Sequence, residues 1–116
     1  MPYEIELTED SKRDIQALRS FERRKVLNAI ERHLRHEPTQ ESKSRIKRLR
    51  RLATPQYRLR VDDIRVFYDV VDDVVEIIAV IAKAQATKWL AREGIPAELD
   101  PRPPGEEEGH EDSNGS

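Results

Sequence analysis

The chain has 116 residues and no cysteine. The absence of cysteine excludes disulfide bonds, thiolate catalysis, and zinc or iron–sulfur sites with cysteine ligands. Glycine is also scarce, and four glycines with seven prolines exclude a collagen-like repeat. The longest uninterrupted apolar run is six residues, 77–82, whereas a membrane-spanning helix needs about 20. The first residues lack the charged-then-apolar layout of a secretory signal, so we expect none.

Sequence signatures of metal and nucleophile chemistry are missing too. The chain has no Gly-rich phosphate loop and no Gly-x-Ser-x-Gly nucleophile elbow. His33 and His36 have the i, i+3 spacing of two metal ligands on a helix, but no third ligand lies nearby in the sequence. We therefore interpret both histidines as solvent-facing and expect neither a metal nor a cofactor.

The net charge of −2 is the sum of two regions of opposite sign. Residues 97–116 carry seven acidic side chains, one basic side chain and almost no apolar residues, a composition typical of disorder. Residues 1–96 carry a net charge of +4 and are enough for one domain. The sequence therefore predicts a single domain, 1–96, followed by a disordered acidic tail, 97–116.

The positive charge of the domain is concentrated in residues 43–65, which hold nine basic and two acidic side chains. A segment of this charge attracts polyanions, but it equally fits a solvated surface or a patch that pairs with an acidic protein. Its first half contains four candidate RNA-binding residues: Lys47, Arg48, Arg50 and Arg51.

The first half of the chain has the pattern of one strand and two helices. Residues 3–7 alternate apolar and charged side chains, which predicts a half-buried strand. Thr8 and Ser20 are predicted helix caps, and Pro38 ends the second helix. A loop over 39–45 follows. Three apolar residues spaced by three then leave open an irregular segment or a short helical turn: Ile46, Leu49 and Leu52.

The second half predicts an antiparallel meander and a last helix. Three strand patterns, 57–61, 64–71 and 74–82, are separated by two-residue turns. A helical pattern then runs from Lys83 to Gly94, and its Trp89 is predicted to anchor the helix to the core or to a partner. The predicted fold is a small α+β domain: an N-terminal strand, a two-helix hairpin, the meander and a C-terminal helix.

Two-residue turns fix the strand register, because side chains alternate between faces. The predicted pairs are Val61 with Ile64, Leu59 with Val66, Tyr57 with Tyr68, Val70 with Val75, Tyr68 with Ile77, Val66 with Ala79, and Ile64 with Ile81. These pairs form one apolar face, which we expect the N-terminal helices to cover.

The opposite sheet face, here called the arginine face, is predicted to carry Arg58, Arg60 and Arg65. Guanidinium groups match the geometry of phosphate and keep their charge at physiological pH, so this face is a candidate phosphodiester site. Phe67 lies beside them in the predicted register and is a candidate for stacking on a base. The alternative is a solvated face on which Asp69 and Glu76 pair with the arginines. Ile78 and Val80 are predicted on the same face.

Residues 57–70 read YRLRVDDIRVFYDV and follow a strand, two helices and a basic stretch. This order and spacing resemble the RelE/ParE family of bacterial toxins from type II toxin–antitoxin systems, over about residues 2–93. The resemblance implies the compact α+β fold described above, a cytoplasmic location and a cognate antitoxin as partner. It implies either metal-independent cleavage of messenger RNA on the ribosome by 2′-OH attack, or inhibition of DNA gyrase.

The resemblance also assigns roles to single residues. Arg58 and Arg60 match two basic residues that contact the scissile region, and Arg65 matches an arginine that stabilises the phosphate. Ala84 and Leu90 stand where active members have an arginine and a tyrosine. Lys83 is the candidate replacement for the missing positive charge, which makes four candidate catalytic residues.

Three functions remain open at this stage. The first is a ribosome-dependent endoribonuclease, which the arginine face favours. The second is a gyrase inhibitor that cuts nothing, which the departures at Ala84 and Leu90 favour. The third is a non-toxic module that only binds a DNA-binding antitoxin.

Overall fold

The computed structural model of the protein describes residues 2–99, and the greater part of the predicted acidic tail lies outside them. In chain order the elements are β1 (Glu4–Leu7), α1 (Glu9–Ala17), α2 (Ser20–Leu34), β2 (Ile46–Arg48), β3 (Leu52–Thr54), β4 (Tyr57–Val61), β5 (Ile64–Val71), β6 (Val74–Ala82), α3 (Lys83–Glu93), β7 (Ile95–Pro96) and a 3₁₀ turn (Ala97–Leu99). Each helix of this part of the chain is too short or too polar to cross a membrane.

The strands form one five-stranded sheet and one two-stranded sheet. The larger sheet has the order β1-β6-β5-β4-β2, in which β1 runs parallel to β6 and the other neighbours are antiparallel. This arrangement confirms the predicted α+β fold with its meander. The structure also decides between the two alternatives for the basic stretch: Ile46 begins β2, which extends the sheet, and Leu52 begins β3, which pairs with β7 near the end of the described residues.

The predicted register of the first hairpin is confirmed in all its pairs, because β4 and β5 are joined by the two residues Asp62 and Asp63. Asp62 has φ 53°, and Asp72 in the second turn has φ 56°. Aspartate tolerates this left-handed region better than most residues, which explains how both turns form without glycine.

The second hairpin departs from the predicted register beyond Tyr68. A bulge at Ile78 shifts β6 by one residue. The hydroxyl of Thr8, where β1 gives way to α1, donates to the Ile78 carbonyl at 3.1 Å, so the extra residue is held by the start of the first helix.

Because of this bulge, two predicted pairs are wrong, and so is the predicted facing of the end of β6. Val66 lies opposite Val80 instead of Ala79, and Ile64 lies opposite Ala82 instead of Ile81. Val80 therefore belongs to the core and is 5% exposed, whereas it was predicted on the arginine face.

The apolar face of the sheet packs against α1 and α2. The buried apolar side chains of α1 and α2 are Ile15, Val26, Ile30 and Leu34. They meet a strand layer that includes Tyr68, whose fully buried hydroxyl donates to the Pro38 carbonyl at 2.6 Å. This packing leaves the arginine face on the other side of the sheet, as predicted.

The C-terminal helix α3 lies on that other side. The Trp89 ring stacks on the Phe67 ring with a centroid distance of 5.0 Å and an interplanar angle of 15°. After α3 the chain pairs Ile95 with Thr54, and Ala97 N–H donates to the Arg51 carbonyl at 2.9 Å. The described chain then ends with the 3₁₀ turn Ala97–Leu99.

Candidate nucleic-acid interface

The arginine face is built from rows of residues that lie opposite one another on neighbouring strands. In the first row Arg60 of β4 lies opposite Arg65 of β5, and the Arg60 N–H donates to the Arg45 carbonyl at 2.8 Å. Residues directly opposite in an antiparallel pair share a face. Arg60 and Arg65 therefore occupy one row, and the backbone of Arg45 continues it at the edge of the sheet.

The second row runs parallel to the first, one pleat away. Lys47 of β2 lies opposite Arg58 of β4, which lies opposite Phe67 of β5, which lies opposite Ala79 of β6. In this second row the β2 and β4 positions are therefore basic, and the β5 and β6 positions are apolar and lie under α3.

Arg65 is the buried member of the first row, with 8% of its surface exposed. Its guanidinium donates to the Asp62 carbonyl at 2.8 Å and to the Ile64 carbonyl at 3.1 Å. Burial lowers the pKa of Arg65, and the charges of Arg58 and Arg60 lower it further. The guanidinium groups of Arg58 and Arg60 are therefore near enough to repel that of Arg65, and an anion bound among them relieves that repulsion.

Arg58 contributes a donor without an acceptor. Its Nε is buried and makes no hydrogen bond within the described chain. A buried donor left unpaired costs about 1–3 kcal/mol, so an oxygen ligand at this position gains a favourable contact. Arg60, by contrast, is exposed and free to reach a ligand.

Within residues 2–99, the ion pairs are made by other basic side chains than Arg58, Arg60 and Arg65. Asp69 and Glu76 lie opposite each other on the far side of Phe67 from the Arg60–Arg65 row. The Asp69 carboxylate accepts from the Thr54 hydroxyl at 2.6 Å and from the Gln56 N–H at 2.7 Å.

Lys83 lies at the end of the sheet, next to the β4–β5 turn. It is the first residue of α3, and its N–H donates to the Asp63 carbonyl in the β4–β5 turn at 2.7 Å. Its side chain is exposed. The four candidate catalytic residues thus lie around one corner of the sheet, although they come from three elements of the chain.

The candidate RNA-binding residues of the basic stretch are dispersed. Lys47 lies on the arginine face, as its pairing with Arg58 shows. Arg48 points to the helix side, with its guanidinium 5.1 Å from the Tyr57 ring centroid. Arg50 forms an ion pair with Glu41 at 2.8 Å, which lowers the pKa of that carboxyl. Arg51 holds the C-terminal segment through its carbonyl.

Phe67 is enclosed by the protein itself. It has no exposed surface, and Trp89 occupies the face of its ring. The sequence placed Phe67 on the arginine face correctly, but it gave no sign that α3 crosses this face. In this structure the Phe67 ring packs against Trp89 of α3 and is not accessible to a base.

Arg45 is the residue of this interface that sequence reasoning missed. It was counted in the charge of the basic stretch but was placed in a predicted loop. The signal for it was the strand that begins at Ile46, because Ile46 pairs with Leu59 and places Arg45 beside Arg60. Metal chemistry has no equivalent site: the described residues hold no group of three His, Cys, Asp or Glu side chains arranged for an ion.

Comparisons with known proteins found one matching family model. Residues 5–87 match the family model described as the ParE toxin of the type II toxin–antitoxin system parDE. A search of the curated proteins found no match.

Solved structures show the same fold. A chain of the RelBE2 toxin–antitoxin complex of Mycobacterium tuberculosis is 25% identical, with a TM-score of 0.61 over 71% of this chain and 99% of that one. A chain of the archaeal RelE–RelB complex of Pyrococcus horikoshii is 23% identical, with a TM-score of 0.53 over 73% and 99%. A chain of the RelB–RelE complex of Methanococcus jannaschii is 17% identical, with a TM-score of 0.57 over 72% and 96%. The family model covers most of the chain, and the protein therefore belongs to the RelE/ParE family of toxins from type II toxin–antitoxin systems.

Proposed function

We propose that this toxin arrests growth by cutting messenger RNA on the ribosome without a metal ion, and that a cognate antitoxin neutralises it. The observation that carries the proposal is the cluster of Arg58, Arg60 and Arg65. Their guanidinium groups repel one another, and one of them holds an unpaired buried donor. Such a cluster suits the phosphodiester of a nucleic acid.

RNA supplies its own nucleophile for this reaction. The 2′-oxygen attacks the adjacent phosphorus, the bond from phosphorus to the 5′-oxygen breaks, and the products are a 2′,3′-cyclic phosphate and a 5′-hydroxyl. The proton of the 2′-hydroxyl leaves to a base, and the 5′-oxygen receives a proton. Negative charge grows on the phosphoryl oxygens in the transition state, and the arginines stabilise it there.

Proton transfer is the weak point of this site. Arginine stays charged and is a poor proton acceptor. The resemblance leaves Ala84 and Leu90 where an arginine and a tyrosine are expected. In the proposed reaction, Lys83 supplies positive charge, and ribosomal groups or water carry the protons. We therefore expect slow cleavage that depends on the ribosome.

The antitoxin is proposed from the structural neighbours, which are toxin–antitoxin complexes. A partner with an acidic segment complements the basic part of the arginine face, where Lys47 and Arg60 lie. Charge complementarity of this kind accelerates association and selects the partner.

A second candidate is inhibition of DNA gyrase without cleavage. Two observations favour it: the missing proton-transfer residues at Ala84 and Leu90, and the Trp89 ring that prevents Phe67 from stacking on a base. On this hypothesis the arginine face binds a protein or DNA surface and cuts nothing.

Induction of the toxin in cells that lack the antitoxin tests the two functions together. We expect growth arrest, truncated messages and unchanged DNA supercoiling. Arg60→Ala should relieve the arrest, because it removes one of the arginines proposed to hold the phosphodiester. Arg60 is exposed, so its loss leaves the core intact. Arg24→Ala on α2 removes the same charge from an exposed position on the other side of the sheet and should stay toxic.

Other outcomes reject the proposal. Intact messages with loss of supercoiling would establish gyrase as the target. Normal growth after induction of well-folded protein would leave only the non-toxic antitoxin-binding module. Toxicity that survives both Arg60→Ala and Arg65→Ala would show that the arginine face is not the site.

A further inference from the structure

A cleft of about 210 Å³ lies beside the edge of the sheet, between the end of α2 and the start of β2. The side chains of Arg32, His33 and His36 line it from α2, and Arg45 and Ser42 line it from the segment that leads into β2. These side chains, with Gln40, offer hydrogen-bond donors on both walls. The two histidines that the sequence left without a role are therefore part of one cleft.

The cleft is positively charged without counting its histidines. Arg32 and Arg45 are exposed, and the ion pairs of residues 2–99 involve neither of them. Glu37 is the carboxylate among the lining residues. Two arginines against one carboxylate favour an anion over a cation, which also argues against reading the histidine pair as metal ligands.

The pKa of His33 depends on the charges that line the cleft. Burial lowers its pKa, and the charges of Arg45 and Arg32 lower it further. His33 lies in the last turn of α2, where the helix dipole favours a positive charge. Burial and the two arginines act against this effect on the His33 pKa.

Arg45 connects the cleft to the arginine face. Its carbonyl accepts from the Arg60 N–H on β4, while its side chain lines the cleft beside Ile46. A polyanion that contacts Arg60 and follows the edge strand β2 therefore meets the cleft next. No other element intervenes between them in the register of the sheet.

We propose that this cleft is a second phosphate-binding subsite, which holds a backbone phosphate of the same RNA strand that the arginine face binds. The inference rests on the proposed function for the identity of the strand. It does not rest on cleavage, because a strand held without being cut uses the same contacts. The ligand chemistry is a phosphate oxygen between Arg32 and Arg45, with His33 and His36 as further donors.

The cleft itself is tested with inorganic phosphate on the full chain, without RNA. The pKa of His33 is measured by NMR in phosphate and in chloride at equal ionic strength. A bound anion offsets the charges of Arg32 and Arg45, so phosphate should raise the pKa of His33, and Arg32→Ala should reduce this rise. A pKa that is the same in both salts would overturn the proposal.

The role of the cleft in RNA binding is tested by salt dependence. The affinity for a short oligouridine is measured against salt concentration for the wild type, Arg32→Ala, and the control Arg24→Ala on the same helix. Loss of one phosphate contact lowers the slope of log affinity against log salt by about 0.7 for a single strand. We expect this change for Arg32→Ala and none for Arg24→Ala.

The outcomes separate this inference from the proposed function. If Arg60→Ala weakens RNA binding while Arg32→Ala acts like Arg24→Ala, the subsite is wrong and the proposed function stands. If the wild type binds no RNA but phosphate raises the pKa of His33, the anion site stands and its assignment to an RNA strand is overturned, while the proposed function is decided separately by cleavage on the ribosome.

Discussion

Trp89 lies flat on Phe67, with ring centroids 5.0 Å apart, and this stack fixes the last helix across the sheet. Phe67 occupies the same row as Arg58 and Lys47. The stack therefore divides the arginine face: α3 covers its apolar half on β5 and β6, and the basic half on β4 and β2 stays accessible. A ligand of the arginines approaches from the β2 edge.

Replacement of Trp89 tests whether α3 is held by this stack. Trp89→Ala removes a partly buried aromatic pair and should lower the free energy of unfolding by about 2 kcal/mol, while Trp89→Phe should lose less than half of that. Urea unfolding followed by circular dichroism measures both variants. Equal stability of the wild type and Trp89→Ala would show that the stack does not hold the helix.

Tyr68 is expected to stabilise the core through its hydroxyl. Tyr68→Phe removes the donor to the Pro38 carbonyl and leaves that carbonyl unpaired in the core, at a cost of about 1–2 kcal/mol. Tyr57→Phe is the matched control, because the Tyr57 hydroxyl accepts a longer, 3.3 Å bond from Arg48. A larger loss for the control would contradict the assignment.

The same hydroxyl makes stability depend on alkaline pH. Burial raises the pKa of Tyr68 above its ordinary value of 10. The neutral form is the one that the folded state favours, so the contribution is complete below about pH 10 and is lost as the pH rises above it. Unfolding measured between about pH 9 and 11 should show a steeper loss of stability for the wild type than for Tyr68→Phe. Parallel curves would show that another group causes the loss.

The turn residue Asp72 is expected to be strained by its positive φ. Asp72→Gly places at this positive φ a residue that has no Cβ strain there. The free energy of unfolding should rise by about 0.5 kcal/mol, a figure that includes the larger backbone entropy that glycine loses on folding. Asp73→Gly changes the neighbouring residue, which lacks a positive φ, and should lower stability by a similar amount. Thermal unfolding of the two variants compares them, and a shift of both in the same direction would exclude this explanation.

Most of the sheet was predictable because alternation and two-residue turns are local properties. The turn at Asp62 and Asp63 fixed the β4–β5 register, and every predicted pair there is confirmed. The bulge at Ile78 was not predictable, because Ile78 lies inside a uniform apolar run and the cause of the shift is Thr8, 70 residues away in the chain. A one-residue shift then moved Val80 into the core.

The candidate site was predictable only in part for a related reason. The arginines of β4 and β5 share a face by alternation, so the sequence brought them together correctly. The residue spacing of α3 does not determine which side of the sheet Trp89 covers. Phe67 is buried because Trp89 covers the arginine face, so its burial could not be predicted either. The positions of Arg45 and of the cleft beside His33 depend on the pairing of β2 with β4. A strand of only three residues has too short a pattern to be predicted from the sequence.

Primer extension on messenger RNA bound to purified ribosomes is the most direct test of the account. Purified toxin is added to ribosomes programmed with a defined message, and the 5′-ends of the products are mapped. The account predicts truncated message with the wild type and Arg24→Ala, and about a hundredfold slower cleavage with Arg60→Ala. Full-length message after incubation with folded wild-type toxin would contradict it.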